Sequence, residues 1–180
     1  MSKTQEAPGG LERVREFVNT LDVEAGTEEL SSPAALGEWM EARKLGAVRP
    51  TREDLRRAIE LREALRAVML AHNDRQPVPR EAAATLDAAA KRARLQLRFD
   101  DGGAAVLEPG APGVAGGLGR LLAIVSGAIA DGSWERLKAC REHTCEWAFY
   151  DHTKNRSGTW CTMDVCGNRA KARAYRERRQ

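Results

Sequence analysis

Aromatic side chains are scarce in this sequence, with three Phe, four Trp and two Tyr among 180 residues, so any core must be built mostly of Leu, Val and Ala. Cysteine is absent from the first 139 residues. The amino terminus, MSKTQEAPGGLERV, has no apolar run of the length a signal peptide needs, and no later segment reaches the ~18 apolar residues of a membrane span. The reading is a cytosolic chain with no membrane partner. Catalytic signatures are also missing. Arg141-Glu142-His143-Thr144-Cys145 is not a His-Glu-x-x-His motif, and the chain has no deaminase zinc pattern, no Gly-Lys-Ser/Thr phosphate loop and no nucleophile elbow. The glycines from Gly113 to Gly119 precede a helix as a phosphate loop does, but they lack its spacing and its lysine. Nothing here speaks for an enzyme.

What is present is a globular composition, 42% hydrophobic and 31% charged, which excludes a disordered chain. The length suits one domain or a domain with a small module. Charge is unevenly spread. From Lys154 to Gln180 eight Lys or Arg face only Asp164 and Glu177, a net of +6, which leaves the other 153 residues at −3. A basic carboxyl-terminal tip on a mildly acidic body points to a polyanionic partner.

The periodicity predicts a mainly α body. After a flexible Ala7-Pro8-Gly9-Gly10 start, Leu11, Val14, Val18 and Leu21 mark a helix to about Asp22. Ser32 and Pro33 open a second around Leu36, Trp39 and Met40, and it stops at Gly46. Thr51 and Asp54 open a third that runs to about His72. Asn73 to Pro77 is a breaker, and Pro79 opens an alanine-rich helix to about Ala93. Alternation at Leu95, Leu97 and Phe99, the turn Asp100-Asp101-Gly102-Gly103 and a return from Ala104 to Leu107 predict a β hairpin. Glu108 to Gly117 reads as irregular, and Leu118 to Ala130 as a core helix. A short helix from Ser133 then delivers the chain to Cys140. The expected fold is mainly α with small β hairpins (α+β), divided into a helical body, 1–132, and a four-cysteine module, 133–180.

The cysteines fall as Cys140-x4-Cys145 and Cys161-x4-Cys166. Two spaced pairs in a reducing compartment are written for a metal rather than for disulfides. Four thiolates close a zinc tetrahedron and leave no position for water, so one structural Zn2+ is expected. His143 and His152 stand nearby as alternative ligands that four thiolates make unnecessary. Between the pairs, Glu146 to Tyr150 alternates like a strand and Asn155 to Gly158 is turn material. The expectation is a hairpin that brings Trp147 and Trp160 against the sulfurs. Cys166 starts the last helix, Gly167 lets the backbone approach the metal, and Asn168 is placed to bond a neighbouring carbonyl or sulfur.

At these residues, Trp160-Cys161-Thr162-Met163-Asp164-Val165-Cys166-Gly167-Asn168-Arg169-x-Lys171, the chain resembles the CGNR zinc-finger family. The likeness covers about residues 133 to 180, with Trp147, Phe149, Asp151 and Tyr175-Arg176. Thr162 stands where serine is common. The helical body resembles the ABATE domain that such proteins carry, including Phe17-Val18-Asn19-Thr20 and the Trp39 helix. The resemblance implies a bacterial transcription regulator with a zinc-dependent DNA-binding end, in which Cys140, Cys145, Cys161 and Cys166 hold the metal.

The last helix can also be read directly. Arg169, Arg173 and Arg176 share one face, with Lys171 and Arg178 on an adjacent strip and Arg156 in the turn between the cysteine pairs. These six are the candidate nucleic-acid contacts, with duplex DNA the expected partner. An RNA-binding or protein-interaction module is the alternative. In the body, Asn19, Thr20, Trp39 and His72 are candidates for lining a pocket for a small-molecule effector, and the body is the candidate surface for a homodimer.

Overall fold

The computed structural model describes residues 6–74 and 76–179; Met1 to Gln5 of the amino-terminal stretch, Arg75 of the breaker and the terminal Gln180 lie outside it. Helices α1 (Leu11–Val18), α2 (Pro33–Ala42), α3 (Arg52–Asp74), α4 (Arg80–Ala93) and α5 (Gly113–Ala130) precede a final α6 (Asn168–Glu177). Three antiparallel pairs lie between them: β1 (Leu21–Asp22) with β2 (Thr27–Glu28), β3 (Leu95–Phe99) with β4 (Ala105–Pro109), and β5 (Leu137–Ala139) with β6 (Ala148–Tyr150). About 52% of the chain is helical, so the fold is mainly α with small hairpins.

Local chemistry sets most helix starts. The Ser32 hydroxyl accepts from the Ala35 amide at 3.1 Å, with Pro33 at the first helical position. Thr51 and Asp54 close a reciprocal box: Thr51 Oγ1 accepts from the Asp54 amide at 3.1 Å and Asp54 Oδ2 from the Thr51 amide at 2.9 Å, each cap contributing about 1 kcal/mol. The start before α1 is not loose. Ala7 is buried and its amide donates to Glu12 at 2.7 Å. Helix α1 stops at Val18 rather than Asp22 because Thr20 Oγ1 donates to the Phe17 carbonyl at 2.8 Å and the chain turns into the small β1–β2 hairpin.

The stretch expected to be irregular, 108–117, is mostly regular: β4 runs to Pro109 and α5 starts at Gly113. Its glycines are a contact face. A Cβ on Gly117 would fall 2.1 Å from Met40 Cε and 2.8 Å from the Leu45 carbonyl, and one on Gly119 would fall 2.6 Å from Ala93 Cβ. Small residues there bring α5 close to α2 and to the end of α4. Helix α5 is long and apolar enough, by length and composition, to cross a membrane, against the expectation that no segment reaches that length. Its Leu118, Leu121 and Val125 lie in the core.

The core continues past the division expected at 133. Trp134, Leu137, Ala139, Ala148 and Tyr150 belong to the same buried cluster as Phe17, Leu65 and Met69, with β5 packed on α3 and β6 on α1. The short helix expected from Ser133 is a single 3-10 turn, Trp134–Arg136, after which Leu137 enters β5 fully buried, a transfer term of ~2 kcal/mol.

Candidate metal centre and nucleic-acid interface

The first cysteine pair sits in the turn of the β5–β6 hairpin. Cys140 donates its amide to the Trp147 carbonyl at 2.9 Å, and Cys145 donates to the Glu142 carbonyl at 2.8 Å. Glu146 takes a left-handed conformation, φ 47°, as the chain swings back into β6. The sequence pattern suggests a hairpin between the two pairs. The strand is there, but its partner lies upstream, at Leu137–Ala139. The second pair is laid beside the first where Arg141 donates its amide to the Thr159 carbonyl at 3.1 Å. Cys166 lies in a wide π-type turn, Met163–Gly167, directly before α6. Gly167 is small to admit the Met163 thioether, since a Cβ there would fall 2.6 Å from Sδ. Asn168 bonds a carbonyl as expected, that of Asp164, at 3.0 Å.

All four sulfurs lie within 4.8 Å of one another, with Cys145–Cys161 and Cys161–Cys166 Sγ separations of 3.7 Å. A disulfide needs about 2.05 Å, and none of the four cysteines is joined in one. A tetrahedron of Zn–S bonds of about 2.3 Å has edges of about 3.8 Å. The residues therefore fit one structural zinc. Three of the sulfur-bearing residues are buried and Cys161 is half-buried, with Trp147 and Trp160 packed against them as expected.

Unaided, the thiols cannot all ionise. Hydrogen bonds from the Cys145 and Cys161 thiols pull Cys140 far down, while the bonds of Cys161 to Cys140 and Cys145, with burial, push it far up. Burial and the charge of Cys140 and Cys145 raise Cys166 to about 12. A divalent cation resolves the conflict by replacing the protons. His143 and His152 stay outside. The first is exposed and pairs with Glu142 at 3.2 Å, and the second bonds the Glu6 carbonyl at 2.9 Å.

The body grips this cluster through side chains the sequence does not single out for it. Asn73, in the last turn of α3, donates its amide to the carbonyls of Ala139 and, at 3.2 Å, Thr159, each of them one or two residues before a cysteine. The buried Arg66 guanidinium donates to the carbonyls of Glu146 and Val18, both at 2.8 Å. Lys138 Nζ donates to Asp151 Oδ2 at 2.7 Å and to the carbonyls of Arg156 and Gly158 at 2.7 and 2.9 Å. Burial alone would raise the Asp151 carboxyl, but Lys138 and Thr153 hold it below its usual value. Gly158 must be glycine, because a Cβ would meet Asp151 Oδ1 at 2.7 Å. This buried ion pair folds the loop 151–158 back toward the second cysteine pair.

The six basic candidates divide into two sets. Arg173 pairs with Glu142 by two hydrogen bonds, 3.2 and 2.9 Å, and holds that carboxyl below its usual range. Arg169 pairs with Glu24 of the β1–β2 turn at 2.7 Å, and Arg156 with Glu135 at 3.1 Å. These three answer carboxylates of their own chain, so Arg169 and Arg173 mark the face of α6 that meets the body and the first metal-binding turn. Arg176 bonds the Ala172 carbonyl at 3.3 Å and is exposed. Lys171 and Arg178 are exposed and, at about 100° per residue, lie opposite Arg169 rather than on the adjacent strip expected, beside Tyr175 with Arg179 over its ring at 4.8 Å.

Each of the four candidate pocket residues has partners among the described residues. The Asn19 carboxamide binds both backbone groups of Ala148, donating to the carbonyl at 2.9 Å and accepting from the amide at 2.7 Å. Thr20 Oγ1 accepts from Arg62 at 3.2 Å. Trp39 is buried against Phe17, ring centroids 5.3 Å apart, with Arg43 over its outer side. His72 lines a cavity with Ala71, Gln76, Glu135, Lys138 and Arg156.

Comparison with known families agrees with the geometry. The model of the CGNR zinc finger matches residues 136–179, and the model of ABATE, described as "Putative stress-induced transcription regulator", matches residues 12–132. No curated protein matches the chain.

Proposed function

The chain belongs to the ABATE family and ends in a CGNR zinc finger, and from that premise we propose that it regulates transcription by laying the outer face of α6 on duplex DNA. The observation that carries the reading is the division of labour on α6. Arg169 and Arg173 tie one face to Glu24 and Glu142, and the zinc-bound Cys166 fixes its start. Lys171, Arg178 and the exposed Arg176 and Arg179 are left for phosphates. A helix held at three points loses little entropy on binding, which favours contact with a rigid polyanion.

In this reading the metal organises and does not catalyse, because four thiolates leave no open coordination position. The helical body serves as sensor or dimerisation unit. Duplex DNA is favoured over single strands because base-stacking aromatics are spoken for: Trp147 and Trp160 pack on the cysteines and Arg179 covers one face of Tyr175. The test is a gel shift of the zinc-loaded chain on duplex DNA, the single strands and the matching RNA at one salt concentration. Preferential retardation of the duplex supports the reading; preference for RNA or single strands, or no retardation, removes it.

A further inference from the structure

The cavity at His72 lies on the seam between the body and the metal module, and its walls carry an unusual set of charges. Its volume is about 480 Å³, within the usual range for a small-molecule site. The C-terminal turn of α3 supplies Ala71 and His72, the segment after it Gln76, the 3-10 turn Glu135, β5 Lys138 and the loop before Trp160 Arg156.

Lys138, His72, Arg156 and Glu135 each present definite groups to the cavity. Lys138 has three ammonium protons, and it uses them on Asp151, Arg156 and Gly158; it is structural. His72 Nδ1 stands 2.8 Å from the Leu137 carbonyl. A carbonyl only accepts, so Nδ1 carries the proton. In the neutral ring Nε2 is then an acceptor, and among the described residues no bond to it is seen. Arg156 and Glu135 form an ion pair at 3.1 Å with side chains 45% and 69% exposed, so both retain unused bonding capacity. The cavity therefore offers a guanidinium fork, a carboxylate and an imidazole acceptor.

We propose that this cavity binds a small zwitterion, a free α-amino acid, with its carboxylate on Arg156 and its ammonium shared by Glu135 and His72 Nε2. A plain anion would meet Glu135, and a plain cation would meet Arg156; only a ligand carrying both charges a few bonds apart satisfies both. The site gives the sensor role proposed above a location. Arg156 belongs to the loop that returns to Cys161, so a ligand bridging it to α3 ties the body to the metal module. Binding is independent of nucleic acid, so this proposal and the DNA reading can fail separately.

The experiment is a thermal-shift screen of the zinc-loaded full chain against the twenty amino acids at millimolar concentration without nucleic acid, followed by calorimetry on any that stabilise. At least one amino acid is expected to raise the melting temperature saturably. Arg156→Ala and Glu135→Gln should each weaken it about tenfold or more, with unchanged circular dichroism. The ligand's des-amino acid and its decarboxylated amine should fail to bind. No stabilisation by any amino acid, binding undiminished in Arg156→Ala, or equal binding of the des-amino acid would each overturn the proposal.

Discussion

Arg173 of α6 reaches back to Glu142, between the first two cysteines, and donates two hydrogen bonds to a carboxylate that is 1% exposed. The bridge joins the basic helix to the first metal-binding turn, so the orientation of α6 depends on more than the bond from Cys166 to zinc. Charge-assisted, two-point pairs of this kind are both stronger and more directional than single bonds.

Removing Arg173 takes the guanidinium from the buried Glu142 carboxylate and leaves it His143 and Thr144. Because Arg173 itself is 43% exposed, solvent offsets part of the loss, and Arg173→Ala is expected to lower stability only modestly. Urea denaturation of the zinc-loaded protein measures it. Glu142→Gln should cost less, since a neutral amide still accepts one bond.

Zinc removal should loosen the tip but spare the hairpin that carries the first cysteine pair. Leu137, Ala139, Ala148 and Tyr150 are buried in the body core, and Asn19 and Arg66 hold the hairpin from outside the metal site. Hydrogen exchange after chelation should show weakened protection across 159–177 and full protection at 137–139 and 148–150.

Asn19→Ala removes both bonds to Ala148 and leaves two buried backbone groups unsatisfied. The expected loss is about 3 kcal/mol, read as a lower urea midpoint with zinc stoichiometry unchanged. Asn19→Asp should also destabilise, because a carboxylate cannot donate to the Ala148 carbonyl.

Burial holds the His72 pKa below its ordinary 6.5, against the upward pull of the Leu137 carbonyl. As pH falls below about 6.5 the unfolded chain takes up this proton first. The contribution of His72 to stability is therefore complete above that pH and is lost as pH falls through the lower folded value. His72→Gln should flatten the difference in urea midpoint between about pH 7 and 5.5, measured against the parent chain at each pH.

Local features are readable from sequence because their causes are local. Ser32, the Thr51–Asp54 box, the Leu95–Phe99 alternation and the four cysteines each announce themselves within a few residues. Pairing is not. The alternation at Glu146 to Tyr150 marks a strand, but nothing in it says that Leu137–Ala139, and not the segment leading to Trp160, lies alongside. Gly117 looks like a breaker because its close neighbour, Met40, is distant in sequence. Glu142 and Arg173 look like surface charges for the same reason, since their pairing spans the whole module.

The salt dependence of duplex binding tests the central claim most directly. Each basic side chain that neutralises a phosphate contributes about 0.9 to the slope of log K against log salt. Lys171→Ala with Arg178→Ala should therefore flatten that slope by about 1.8, with urea stability unchanged because neither residue is buried. A double variant that binds with the parent slope and affinity would contradict phosphate binding by the outer face of α6.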